Sequence, residues 1–395
     1  MKLLHTSDWH LGQNFMGKSR AEEHSVFLQW LTRTIKERQI ELLIVSGDIF
    51  DTGTPPNYAL ELYYNFLKSL MDTACRNIII TGGNHDSVAT LKVSREILRL
   101  LDIHVIASGG EDDETLIEIE EDGELEAIVC AVPFLRDATV RKSIGGESIS
   151  EREKALEEGI RRYYEDLYEK ASKIRGDRDI PIIATGHLTT VGSVSSDSER
   201  EIYIGGTMNI SGAFFAESFD YVALGHLHKN QRAGCDSVRY SGSPIALSFA
   251  EASAAKRVNL VSFEGRKPLV EELEIPVFRR LLTIRGDKRS VLEELASVED
   301  MESWIEVRLE DENPLAAAQE IRSVAERKGL SLLAVKTERF DRPLSMEEGG
   351  IADLDDLKPD EVFAKRLEMD EMIDEELTRK LSERFARLWH EAETV

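Results

Sequence analysis

Five short stretches hold the side chains with the most chemistry to offer: Asp8-Trp9-His10, Gly47-Asp48, Gly83-Asn84-His85-Asp86, Gly186-His187 and Gly225-His226-Leu227-His228. Taken singly, each reads as a loop. Asp-x-His and His-x-His say more, because residues i and i+2 of an extended segment project the same way and can share one ion. Together the stretches supply Asp8, His10, Asp48, Asn84, His187, His226 and His228 as candidate metal ligands. Seven donors are too many for one four-coordinate zinc. They suit two divalent ions of higher coordination sharing a carboxylate. Imidazole, carboxylate and amide donors without thiolate favour manganese, iron or zinc over copper(I) or an iron–sulfur cluster. Two ions about 4 Å apart can activate water and hold both the attacking and leaving oxygens of a phosphoryl transfer.

Nearly every stretch follows a predicted strand. Leu3–Thr6, Leu42–Ser46, Ile78–Thr81, Ile182–Thr185 and Tyr221–Leu224 are short apolar or β-branched runs. In α/β sheets the loops at strand carboxyl ends gather on one edge, where sites are commonly built. Helical periodicity covers Glu22–Arg38 and Asn57–Ala74. In the latter, Leu60, Tyr63, Phe66, Leu67 and Leu70 share a face that either enters the core or pairs with a second copy of the chain. Leu116–Glu120 and Glu124–Val129 alternate around Asp122-Gly123 as a hairpin. Arg239–Ser241 and Val258–Phe263 add strands. The pattern predicts an α/β fold of two stacked sheets with helices outside, over residues 1–275. From Leu281 the order strand, helix, strand, helix, strand predicts a small α/β capping domain over 276–340. A helical tail is expected over 341–395, with 17 acidic and 8 basic residues from Asp341. Its apolar stripes (Val362, Phe363 and Leu367; Leu377, Leu381, Phe385 and Leu388) either fold back or dock on a partner.

Composition sets a further constraint. Against 74 acidic residues stand 49 basic ones, a net charge of −25. That argues against simple electrostatic binding of nucleic acid. It leaves room for a nucleic-acid enzyme whose metals or partner supply the positive charge. Cys75, Cys130 and Cys235 lie far apart and read as reduced thiols of a cytoplasmic protein. The first residues hold one cation and no long apolar run, so no signal peptide is expected. No stretch approaches the roughly 18 apolar residues of a membrane span.

The ordered set Asp-x-His, Gly-Asp, Gly-Asn-His-Asp, Gly-His, Gly-His-x-His is similar to that of the calcineurin-like metallophosphoesterases. The segments LHTSDWHLGQNF, GDIFDTGTPP, GNHDSVATL, IIATGHLTTVG, IYIGG, YVALGHLHK and RYSGSPIALSF resemble, within that family, nuclease subunits that work with a long coiled-coil ATPase. The resemblance implies a four-layer αββα sandwich. It places Asp8, His10, Asp48 and His228 on one ion and Asp48, Asn84, His187 and His226 on the other, with Asp48 bridging. His85 then faces the phosphate as the catalytic residue and is no ligand. Asp51 stands where some relatives carry a second histidine, and a supporting role is expected of it. Asp86 either orients a neighbour or caps the following helix, the cap being the preferred reading. His5, His24, His104 and His390 read as structural or surface residues. Lys18, Arg20, Lys229 and Arg232 lie near the motifs as possible cations for the substrate.

The resemblance implies Mn²⁺, with Mg²⁺ possible, a DNA substrate of duplex ends and hairpins, and activity in repair, recombination and replication. It also implies docking of the tail on the ATPase, and a homodimer through the helix at Asn57–Ala74 and the next one near Ala89–Leu101. The metal motifs by themselves fit a small-molecule or cyclic-nucleotide phosphodiesterase as well. A non-enzymatic scaffold on the same fold is disfavoured because all seven ligand positions are filled.

Overall fold

The computed structural model describes residues 1–110, 114–141, 148–195, 199, 210–311, 314–337, 381, 384 and 385. Contacts divide the chain into Met1–Glu338 and Arg339–Val395. In the second unit only helical residues Leu381, Arg384 and Phe385 are described, so the other tail residues named above lie outside the description. So do the IYIGG segment (202–206) and His390.

Two six-stranded sheets form the first unit's larger part. One runs Lys267–Glu274, Arg257–Glu264, Lys2–Thr6, Leu42–Ser46, Asn77–Thr81, Ile103–Ile106, the last four mutually parallel. The other runs Gln231–Arg232, Val238–Tyr240, Tyr221–Gly225, Ile182–His187, Glu124–Cys130, Leu116–Glu121. Alternation explains the layering. Leu42 and Ile44 meet Ile183, Ala223 and Val129 between the sheets. Leu43 and Val45 point the opposite way, onto Phe27, Leu31 and Phe66 of the covering helices. Ile182, Ala184 and Val222 likewise face Ile160 and Tyr164 of the helix Ile149–Arg175. Strands buried on both faces read as continuous apolar runs, and the result is helix, sheet, sheet, helix. The hairpin at Asp122-Gly123 has both turn residues at positive φ, 51° and 82°, as a two-residue turn of matching twist requires.

The helix Ile149–Arg175, 27 residues long, is absent from the sequence reading. Its Ser148 and Glu151 form a capping box, each side chain satisfying the other's backbone N–H. The second predicted helix stops at Leu70 rather than Ala74, and the region near Ala89–Leu101 forms two short helices, Val88–Lys92 and Arg95–Arg99. Beyond Pro276, three parallel strands (Leu281–Gly286, Trp304–Leu309, Ser331–Thr337) pack on helices Lys288–Ser297 and Pro314–Lys328. This small sheet meets the larger body through Phe15, Phe249, Leu281 and Trp304.

The stripe offered as a possible dimer face is in the core. Tyr63, Phe66, Leu67 and Leu70 are at most 3% exposed and pack with Leu43, Val45 and Ile80. Among the exposed apolar side chains are three on the next segment: Val93, Ile97 and Leu100 at 82%, 68% and 84%. Phe66→Ala is therefore expected to lower the unfolding free energy by about 3–5 kcal/mol. Leu315→Ala, at a side chain 81% exposed on the helix Pro314–Lys328, is expected to change it by no more than about 0.5 kcal/mol. A denaturant titration with an unchanged midpoint for Phe66→Ala contradicts this packing.

Candidate metal centre

The strands Lys2–Thr6, Leu42–Ser46 and Asn77–Thr81 end side by side, and their loops turn back at once over the sheet edge. Asp8 N–H donates to the Gly47 carbonyl (3.0 Å), His10 N–H to the Asp48 carbonyl (3.0 Å) and Leu11 N–H to the Ile49 carbonyl (2.9 Å). The turning is sharp. Asp8, His10, Asp48 and His226 take φ of 53°, 48°, 50° and 95°, half of the eight non-glycine residues with positive φ among those described. Asp and His tolerate this region better than most residues, yet each such residue costs on the order of 1–3 kcal/mol. Strain so concentrated on candidate ligands is held by the packing around them.

The glycines of the motifs are required by close approach. A Cβ on Gly83 would lie 2.1 Å from Asp48 Oδ1, one on Gly47 2.2 Å from His187 Nδ1, and one on Gly225 1.9 Å from the Ser46 carbonyl oxygen. None of these distances is tolerable. Gly-Asp, Gly-Asn-His-Asp and Gly-His-x-His are thus pairs of a bare backbone and the donor that it lets in.

Donor atoms of Asp8, His10 and His228 lie within 4.8 Å of one another, as do those of Asp48, His187 and His226. Between the groups stands Asp48, whose Oδ2 is 3.7 Å from His10 Nε2 and 3.3 Å from His187 Nε2. Asn84 Oδ1 accepts from His187 Nε2 at 2.9 Å, so Asn84 joins the second group. His226 N–H donates to Asp8 Oδ1 at 2.9 Å, linking the two sheets. The seven residues proposed as ligands from the sequence are therefore brought together, six of them no more than 4% exposed.

Electrostatics sharpen the picture. Burial works against the His187 cation, but the Asp48 carboxylate outweighs it and raises the imidazole to about 9. Its Nδ1 donates to the Ser46 carbonyl (3.0 Å), and its Nε2 meets Asn84 Oδ1 and Asp48 Oδ2. One proton thus stands among three donors of the second group. Burial raises Asp8, with the neighbouring Asp48 charge adding to it. Burial also holds His226 neutral, at about 3. Both ring nitrogens of His10 are buried and face carboxylates, Nδ1 at 3.3 Å from Asp51 Oδ1 and Nε2 at 3.7 Å from Asp48 Oδ2. Buried carboxylates with a buried imidazole among them fit a cation. Two divalent ions fit this donor set.

His85, half-buried, stands beside these groups and forms with Asp51 a third close set of donor atoms around His10. Its Nδ1 is 2.7 Å from the Asp51 carbonyl oxygen, its N–H donates to Asp48 Oδ1 (2.9 Å), and its ring lies edge-on to His10 at 4.8 Å. Asp51 also places Oδ1 3.3 Å from His10 Nδ1, so it supports two histidines at once. Asp86 departs from the preferred reading. Ser87 is the helix cap, accepting from Thr90 N–H. The Asp86 carboxylate instead accepts from Ile49, Phe50 and Gly83 N–H at 3.2, 3.0 and 2.8 Å. It fastens the Asp48 loop to the His85 loop. Burial and the Asp48 charge still push it up, to about 6.

Arg20 is a second correction. It is 1% exposed, paired in a fork with Glu23 (2.9 and 2.6 Å), and lies over the Phe15 and Trp304 rings. It has no reach to a substrate. Lys18 and Lys229 are exposed, and Arg232 pairs with Asp236 at 2.7 Å. His5 and His24 are buried and held near 3 by desolvation, as befits structural residues, and desolvation also lowers the partly buried His104. The sequence reading missed Glu251, whose Oε1 lies 3.2 Å from His228 Nδ1. No glycine or histidine beside it signals the role.

The model of the calcineurin-like phosphoesterases matches residues 1–230, and that of the type 5 capsule protein repressor C-terminal domain matches 277–371. The SbcD subunit of the nuclease SbcCD from Escherichia coli (strain K12) is 41% identical over 99% of this chain and 98% of its own. The SbcD proteins of Bacillus subtilis and Rhodobacter capsulatus are 33% and 36% identical, over 82% and 67% of this chain and 83% and 67% of theirs. Within the described residues, no helix is long and apolar enough to cross a membrane. With its donor residues gathered at one edge of a double sheet, the chain belongs to the calcineurin-like phosphoesterases, a divalent-metal family, and within them to the SbcD nucleases.

Proposed function

We propose that this chain hydrolyses DNA phosphodiester bonds with two divalent ions, Mn²⁺ first and Mg²⁺ as an alternative. One ion is held by Asp8, His10, Asp48 and His228, the other by Asp48, Asn84, His187 and His226. The gathering of the seven donor residues about Asp48, which approaches His10 of one group and His187 of the other, carries this reading. The ions supply Lewis acidity and a lowered pKa for bound water. The protein's residues do the rest. Asp48 is fixed by the Asp86 clamp on its loop and by the N–H of His85. The Asp51 carbonyl accepts a hydrogen bond from Nδ1–H of His85. Nε2, when it carries the second proton of the imidazolium form, is thereby left to give that proton to the leaving oxygen.

With an SbcC-type coiled-coil ATPase bound to the C-terminal segment 341–395, the complex acts as an ATP-dependent double-strand exonuclease and a single-strand and hairpin endonuclease. It serves DNA repair, recombination and replication in the cytoplasm, at the nucleoid. Residues 1–275 form the nuclease domain and 276–340 the cap. A chain of net charge −25 needs outside help to hold DNA, and the ATPase supplies it. Exposed Val93, Ile97 and Leu100 support a homodimer through this segment.

His85→Gln is expected to retain both ions while cleavage falls about 10²–10⁴-fold; Asp48→Ala is expected to lose metal binding and cleavage alike. The assay is Mn²⁺-dependent cleavage of hairpin and blunt duplex DNA, with and without the ATPase. Rapid cleavage of small diesters beside intact DNA ends in every mixture would refute the DNA reading. Because the metal competes with the His187 proton, metal affinity should rise with pH up to about 9. Calorimetry in buffers of different ionisation enthalpy measures the released proton, and pH-independent affinity contradicts the competition. Ile97→Asp is expected to shift the chain from dimer to monomer in sedimentation, and an unchanged mass moves the interface elsewhere.

A further inference from the structure

One buried network leads from the metal centre to the small sheet. His228 Nδ1 lies 3.2 Å from Glu251 Oε1, both residues being no more than 5% exposed. The other carboxylate oxygen accepts from Lys256 Nζ (2.5 Å), Leu247 N–H (3.2 Å) and Ser243 Oγ (3.3 Å). Lys256 also donates to the His228 carbonyl at 3.2 Å, so the same ammonium grips the histidine's backbone and its partner. Glu251 ends the short turn Phe249–Glu251. The turn's other end is Phe249, whose ring packs on Phe15 at 5.3 Å and joins Leu281 and Trp304 of the capping region. Phe15 in turn stacks on Trp304 at 5.4 Å. Three residues thus have the candidate ligand on one side and the capping region on the other. A cleft of about 310 Å³ lined by Lys256, Ile275, Phe278 and Leu281 lies beside the network and leaves the junction room to shift.

We propose that Glu251 is a positioning residue that couples the capping region to His228, so that packing at Phe249 sets the affinity of the Asp8–His10–His228 site for its ion. A histidine ligand is oriented by what its second nitrogen meets, and loss of such a partner typically costs 10–100-fold in metal affinity. Here that partner sits on a turn whose position the capping region fixes. This inference rests on the two-ion reading given above.

The test is calorimetric titration of the full chain with Mn²⁺, beside thermal melts. Glu251→Gln is expected to weaken one of two binding steps about 10–100-fold. Phe249→Leu, which touches no ligand, is expected to weaken the same step. The double variant should bind like Glu251→Gln alone, since coupled sites are not additive. Wild-type affinity in Glu251→Gln overturns the proposal. So does a Phe249→Leu protein that melts lower yet binds both ions normally, or losses that simply add. A wild-type chain that takes up fewer than two ions overturns the two-ion reading instead.

Discussion

Asp48 is a carboxylate almost wholly withdrawn from water, with a second, Asp8, buried close to it. Burying charge is expensive unless it is paired, and the chain answers with imidazoles: His187 keeps its proton, held there by Asp48. Much else in the first unit follows from this constraint. Strands must end together so that loops from both sheets reach one carboxylate. Those loops must reverse within one or two residues, which explains the positive φ of Asp8, His10, Asp48 and His226. Backbone must pass where no side chain fits, which explains Gly47, Gly83 and Gly225. A cation removes the conflict by replacing the proton, and so the site is built to be loaded.

The division of labour in Gly83-Asn84-His85-Asp86 shows how tightly one loop serves this purpose. Gly83 gives clearance to Asp48, Asn84 turns its amide oxygen to His187, and His85 is braced on Asp51. Asp86 looks inward and gathers three N–H groups from two loops. Four adjacent residues thus take four distinct tasks. Substituting any one disturbs a different part of the centre.

The sequence made the donors legible because each sits in a short pattern whose physics is local: a strand, a glycine, a polar side chain. The strands were legible for the same reason, being continuous apolar runs. Asp86 was misread because two of its three partners lie 36 and 37 residues away, and a following helix offered a nearer use for it. Glu251 had no local signature at all; among 74 acidic residues, only tertiary contact with His228 distinguishes it. Arg20 was misplaced because nearness to His10 in sequence says nothing of depth, and its charge is spent on Glu23. The helix Ile149–Arg175 went unread although Ser148 and Glu151 carry its start signal.

Two ions flanking Asp48, with His85 bound to neither, are what the proposed chemistry requires above all. Anomalous diffraction from Mn²⁺-soaked crystals addresses this directly. Two peaks about 4 Å apart, one against Asp8, His10 and His228 and the other against Asn84, His187 and His226, with His85 ligating neither, are the predicted result. A single peak, or a peak ligated by His85, would contradict it.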